Sequence, residues 1–200
     1  KSEGLSVRFF AGKIFYANGR SQSKSFKYDR YALNMTGPNG YEDYTYSNFF
    51  VGRNKFEGAA SQQIMMRDGG FKFRTDVLSP EVGKTDNWIL AINLSSSISD
   101  KINPLSVLPV KIPLKVYADI GTYAEAWNKN STEDHFLFDA GLQLSVLQGF
   151  VNIYVPVIHN QVYKTYYKSY LSEHRFWKSI SFNLNFYNKP ISDVNNLLEF

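Results

Sequence analysis

The residues able to do chemistry in this 200-residue chain are few and scattered. There is no cysteine, which excludes disulfides, thiolate nucleophiles and thiolate metal sites while leaving the redox compartment open. His135, His159 and His174 lie far apart and none has a second histidine four residues on, so the His-Glu-x-x-His spacing that holds zinc on one helical face is absent. Glu133-Asp134-His135 gathers two acids and an imidazole, but at the start of a strand such a run reads as a solvated loop end. Gly69-Gly70 is too short for a phosphate-binding loop. The stretch YKTYYKSY, Tyr163 to Tyr170, interleaves bases with aromatics as a stacking platform for single-stranded nucleic acid or glycan would; strand extension and an interfacial aromatic belt suit it better. No nucleophile stands at a spacing that suggests a base. The expectation is a chain without catalytic, metal-binding or cofactor-binding residues, and hence no enzyme in itself.

The elements that would position any functional residue are read from alternation. In FWKSISFNLNF, Phe176 to Phe186, the large apolar residues Ile180, Phe182, Leu184 and Phe186 alternate with Ser179, Ser181, Asn183 and Asn185. Eight segments share this period of two: Leu5 to Tyr16, Phe26 to Thr36, Asp43 to Gly52, Asn87 to Ser97, Ile112 to Glu125, His135 to Leu147, Phe150 to Ile158 and Phe176 to Tyr187. Aromatics make up 16% of the chain, which also favours strands. The net charge of +4 is modest and spread along the chain, so no nucleic-acid partner is inferred. The longest apolar-looking tract, Leu142 to Ile158, is broken by polar residues, Gly149 and Pro156, so no transmembrane helix is expected. The chain begins at Lys1 with no signal-peptide core after it, as a mature form or a fragment would.

The polar faces of these strands are small or neutral. In the fifth segment Ile112, Leu114, Val116, Ala118 and Ile120 share one face, against Pro113, Lys115, Tyr117, Asp119 and Gly121; in the sixth, Phe138, Leu142 and Leu144 oppose Asp139, Gly141, Gln143 and Ser145. A soluble sheet usually exposes long charged side chains on its polar face, whereas the crowded lumen of a membrane barrel favours glycine, serine and asparagine. Connections alternate between a tight Leu147-Gln148-Gly149-Phe150 turn and long loops, and Trp88, Trp127 and Trp177 stand at strand ends, where interfacial aromatics are expected. The fold expected is all-β, an antiparallel up-and-down transmembrane β-barrel. A soluble antiparallel β-barrel or sandwich that binds a ligand, and a free-standing eight-stranded outer-membrane barrel, are the alternatives.

Two stretches carry a resemblance. FFVGRNKFEGAASQQIMMRDGGFKFRTD, Phe49 to Asp76, and KVYADIGTY, Lys115 to Tyr123, together with the last strand, resemble the C-terminal barrel of the BamA-like and two-partner-secretion transporter superfamily of Gram-negative outer membranes. The resemblance maps Phe50-Val51-Gly52 to the strand signature before the lumenal loop. Arg67, Gly69, Gly70 and Phe71 correspond to the loop tip, Asp119 and Gly121 to the acidic strand, and Phe182, Leu184 and Phe186 to the terminal strand. Asp68 is an insertion in that tip, and a tail at 188–200 runs past the usual end. The whole chain is similar to barrels found behind aminopeptidase-N-like zinc metallopeptidase domains. The resemblance implies barrel strands over 1–187 forming the C-terminal half of a barrel of roughly sixteen strands. A loop at 53–86 would fold into the lumen and set Arg67 on Asp119. It also implies an outer-membrane location, with lipid and other outer-membrane or periplasmic subunits as partners, and any peptidase chemistry in a preceding domain.

Overall fold

Where apolar residues recur at every second position, the chain forms strands. The structure, a computed structural model, describes residues 4–16, 33–36, 58–74, 82–99, 101–107, 109, 113–131, 134–170 and 173–185. Its strands are β1 (Leu5–Lys13), β2 (Leu33–Asn34), β3 (Lys84–Thr85), β4 (Trp88–Ser97), β5 (Leu114–Tyr123), β6 (Leu137–Val146), β7 (Val151–His159) and β8 (Ser181–Leu184). Helices α1 (Gln161–Tyr170) and α2 (Arg175–Ser179) lie between β7 and β8. The molecule is mostly antiparallel β. Six strands form one sheet in the order β1-β4-β5-β6-β7-β8, curled into a half-barrel, while β2 and β3 pair separately.

Three expectations are corrected. First, β1 pairs directly with β4, from Leu5 opposite Ser96 to Lys13 opposite Trp88, whereas the sequence placed two staves between them. Of those two, Phe26 to Thr36 contributes the two-residue β2 among the described residues, and Asp43 to Gly52 lies outside them. The described residues between β1 and β4 at 33–36, 58–74 and 82–87 stand outside the six-stranded sheet, and we call them the excursion. Second, Tyr163 to Tyr170 belongs to a helix instead of a strand extension. Tyr163 and Tyr167 are four residues apart, so one helical face buries both, and a stacked pair forms between Tyr163 and Phe73 at 4.8 Å. Third, Phe176 to Ser179 is helical and the last strand begins at Ser181, because strict alternation starts only at Ile180. Phe186 and the tail at 188–200 lie outside the described residues.

The two faces of the sheet differ in what they expose. On the outer face Leu5, Val7 and Phe9 of β1, Leu90 and Ile92 of β4, Val116 and Ile120 of β5, and Phe138 and Leu142 of β6 are exposed, Phe9 by 66% and Ile120 by 45%. On the inner face Asn93, Asp119, Asp139, Gln143, Ser145, Asn152, Ser181 and Asn183 are buried. The inner face is graded along the strands. Near the Tyr123 and Leu137 ends, Ile89, Ala91, Tyr123 and Leu137 form an apolar core with Met35, Phe71, Phe73 and Val82 of the excursion and the α1 tyrosines. Toward the other end, Ser145 donates to the Asn152 amide oxygen at 2.7 Å and Tyr154 donates to Asn183 at 3.2 Å, so neighbouring strands satisfy one another's polar groups.

Gly141 sits at the bulge where the β6–β7 register shifts, and a Cβ there would lie 2.1 Å from the Val155 carbonyl oxygen and 2.9 Å from the Pro156 Cα. Both obstacles are backbone. Replacing Gly141 by alanine is expected to cost about 1 to 3 kcal/mol by overpacking, measured by denaturant unfolding followed by tryptophan fluorescence. A loss well below that range would mean that the β6–β7 ladder can slide to make room.

Candidate functional site

The register of the sheet aligns a row of polar residues across five strands. Arg8 of β1 is opposite Asn93 of β4, Asn93 is opposite Asp119 of β5, Asp119 is opposite Asp139 of β6, and Asp139 is opposite His159 of β7. This belt lies directly below the apolar core. It brings two carboxylates face to face across β5 and β6, with Asp119 only 2% and Asp139 only 1% exposed. Like charges directly opposite one another on a sheet are unfavourable, and burying either without a partner is costly. Cationic and amide groups must therefore be brought to the belt.

The excursion brings them. Arg67-Asp68-Gly69-Gly70 forms a tight reversal in which the Gly70 N–H donates to the Arg67 carbonyl at 2.8 Å, with positive φ at Asp68 (39°) and Gly70 (64°). The Asp68 carboxylate accepts from the Asn34 N–H at 3.1 Å, and the Gly69 and Phe71 amides donate to the carbonyls of Asn34 and Met35 at 2.9 Å each. The tip is thereby tied to β2. Past the turn, side chains leave in opposite directions: Phe71 and Phe73 enter the core, while Lys72 reaches Asp119. Gly70 packs so closely that an added Cβ would stand 2.6 Å from the Arg8 guanidinium and 2.8 Å from the Asn93 oxygen. Gly69 is equally confined against the Met35 backbone, at 2.6 Å.

At the centre, one Asp119 oxygen accepts from the Lys72 ammonium at 2.5 Å and from the Asn93 amide at 2.9 Å; the other accepts from the Lys72 backbone N–H at 3.1 Å. Asn93 spends its whole side chain here. Its second amide hydrogen goes to the Gly69 carbonyl at 2.8 Å, and its oxygen accepts from Arg8 at 2.8 Å. The Lys72 ammonium also lies 5.4 Å from the centre of the Tyr117 ring. On the far side, the Ser181 hydroxyl donates to the Lys72 carbonyl, and the Ile64 N–H donates to the Phe182 carbonyl at 2.7 Å, along the edge of β8 away from β7. The excursion thus bridges the inner face from β1 to β8.

The pairing expected between Arg67 and Asp119 is corrected. Arg67 is exposed, and Lys72 makes the ion pair. The Asp68 carboxylate is engaged by the Asn34 N–H, and the residue that enters the belt lies after the glycines. Gly69, Gly70, Phe71, Asp119 and Gly121 are gathered within this region, Gly121 lying against Met35 with 2.7 Å left for a Cβ. Phe182 and Leu184 are half-buried in β8, apart from the belt. Sequence reasoning missed Lys72, Asn93 and Arg8. Asn93 and Lys72 could have been suspected as polar residues on otherwise apolar runs.

No family model, curated protein or solved structure matches this chain. Its chemistry has to be read from its own groups. The three histidines stay apart: the His135 ring stacks on Trp127 at 4.4 Å, His159 lies against Phe73 at 4.8 Å, and His174 is exposed beside Glu173. Asp134 accepts from the Asn160 amide at 3.0 Å. Among the described residues no group of three or more histidine, aspartate or glutamate side chains could hold a metal ion. The belt is built as a clamp around one ion pair, Lys72 with Asp119, while both carboxylate oxygens of the buried Asp139 have no hydrogen-bond partner among the described residues.

Removing either charge of the clamp strands the other in a buried setting. Lys72→Met and Asp119→Asn are each expected to destabilise by about 3 to 5 kcal/mol, and the double variant by clearly less than their sum. Arg67→Ala, at an exposed position, is expected to stay within about 0.5 kcal/mol. A double-mutant cycle on unfolding free energies checks this; additive losses at positions 72 and 119 would show that the ion pair is not what couples them.

Proposed function

We propose that this chain is the membrane-embedded β-barrel portion of a Gram-negative outer-membrane protein. On this reading the half-barrel forms part of a larger wall of roughly sixteen strands, which anchors, or forms the lumen for, a larger protein carrying a metallopeptidase domain. The observation that supports it best is the contrast between the two faces of the sheet: exposed phenylalanine, isoleucine, leucine and valine outside, buried asparagine, serine and aspartate inside. In water such an outer face would be a large apolar patch with nothing among the described residues to cover it. In a bilayer it is the surface the solvent requires, and the polar groups turn inward for the same reason.

The ends of the strands add support. Exposed aromatics concentrate where β1 ends and β4, β6 and β8 begin: Phe15, Tyr16, Trp127, Phe136, Phe176 and Trp177. The Trp127 indole N–H donates to Thr122 at 2.7 Å while its ring stays half exposed, which suits a ring lying between hydrocarbon and water. Exposed large residues at the opposite end, Ile102, Val107 and Leu147, are aliphatic. Two further points in the fold agree with part of a larger barrel: five strands follow the excursion, and among the described residues β1 and β8 do not pair with each other. The clamp then serves as a plug fixed to the wall. No catalytic role is assigned to any residue of this chain, and metallopeptidase chemistry is placed in a preceding domain.

Ile120→Arg separates the membrane reading from a soluble one. At an exposed position in water the substitution changes stability by no more than about 0.5 kcal/mol. On a lipid-facing strand near the bilayer midplane it costs about 2 to 4 kcal/mol. Unfolding of both proteins from lipid vesicles measures the difference, and a monodisperse, detergent-free preparation of the wild-type chain in buffer would overturn the proposal.

A further inference from the structure

Between β7 and β8 the chain carries an uneven share of its charge. Residues 161–179 contain Lys164, Lys168, Arg175 and Lys178 against Glu173 alone, so with neutral His174 they hold +4 − 1 = +3 of the chain's net +4. The fold turns these cations outward. In α1 the buried face is Tyr163 and Tyr167, which leaves Lys164 and Lys168, also four residues apart, together on the exposed side. In α2, Arg175 is exposed and Lys178 half-buried, and they flank Phe176 and Trp177, whose rings meet edge to face at 5.6 Å and are 54% and 65% exposed. The Trp177 carbonyl accepts from the Gln62 side chain, so α2 is held to the excursion.

Two large aromatic rings set among bases, at the end of the sheet where the exposed aromatics gather, combine the features that favour the phosphate level of a bilayer. The rings prefer the interface, and the bases attract anionic headgroups. We infer that the α1–α2 surface is a binding site for phosphate-bearing anionic lipid headgroups in the leaflet at that end of the barrel, with Phe176 and Trp177 entering the interface and Lys164, Lys168, Arg175 and Lys178 contacting the phosphates. This inference rests on the membrane reading. It adds a lipid preference and assigns it to one end of the wall.

The test inserts the full chain into nanodiscs containing phosphatidylcholine and phosphatidylglycerol, releases it in detergent, and counts retained lipids by native mass spectrometry. The wild type is expected to retain phosphatidylglycerol in preference. Lys164→Gln/Lys168→Gln and Arg175→Gln/Lys178→Gln should each lower that preference, by about fivefold for each charge removed. Lys101→Gln, at the opposite end, should leave it unchanged. A salt titration of the wild type, which needs no variant to fold, should weaken the preference as counter-ions screen the surface. Equal retention of the two lipids by an inserted wild-type protein, an unchanged preference in both double variants, or displacement of the lipid by inorganic phosphate alone would overturn the inference and leave the membrane reading standing. Failure to insert into nanodiscs of any composition would instead remove the membrane reading, and this inference with it.

Discussion

A carboxylate buried in the middle of a sheet needs a cation, and much of this structure is arranged around that need. Asp119 faces a second carboxylate, Asp139, across the β5–β6 ladder, and the strands themselves bring only Arg8, Asn93 and His159 into the same row. The ammonium that meets Asp119 comes from outside the sheet. For Lys72 to arrive there, the excursion must reverse at Gly69-Gly70, tie itself to β2 through Asp68, and send Phe71 and Phe73 into the apolar core on either side of the lysine. The ion pair and the apolar packing are therefore one arrangement, since each holds the backbone where the other needs it.

The same constraint explains the gradient along the inner face. Above the belt, the excursion and α1 supply enough apolar surface for Ile89, Ala91, Tyr123 and Leu137 to be buried like the core of a soluble protein. Below it, Tyr117 and Tyr154 meet edge to face and form a small cluster with Ile64, and Gln143, Ser145, Asn152 and Asn183 bond across strands. The outer face shows no such change, staying apolar from Leu5 to Phe9 and from Val116 to Ile120.

Much of the sheet was legible in the sequence because a period of two survives any tertiary context: β4, β5, β6 and β7 fall within a few residues of their expected bounds. The inward placement of Asp119 followed from the same alternation. What was illegible depended on partners remote in sequence. The β1–β4 ladder is a choice of neighbour, which alternation does not encode, and patterned residues at 26–36 and 43–52 made a meander look continuous. The 161–170 helix was misread because its tyrosines satisfy interfacial composition as well as helical spacing, and only the buried Tyr163–Tyr167 face distinguishes the two. Lys72 was passed over for Arg67 because alternation along strands does not tell which side chain a turn presents, and here the turn at Asp68 to Gly70 leaves Arg67 exposed and sends Lys72 inward.

The β1–β4 ladder also bears on the order in which the sheet can be assembled. Its closest pair, Lys13 and Trp88, is separated by 88 − 13 = 75 positions, whereas Val146 and Val151 at the β6–β7 turn are separated by five. Closing the longer span costs about 2 kcal/mol more in chain entropy, near four doublings of loop length. Hairpins from β4 onward can thus zip locally, while β1 must be recruited across a wide gap. Its arrival is favoured once Lys72 and Gly70 are seated, because the Arg8–Asn93 bond and the close fit of Gly70 await it there. Relative to the strands from β4 onward, β1 closes the longest loop, and the excursion supplies the surface against which it packs.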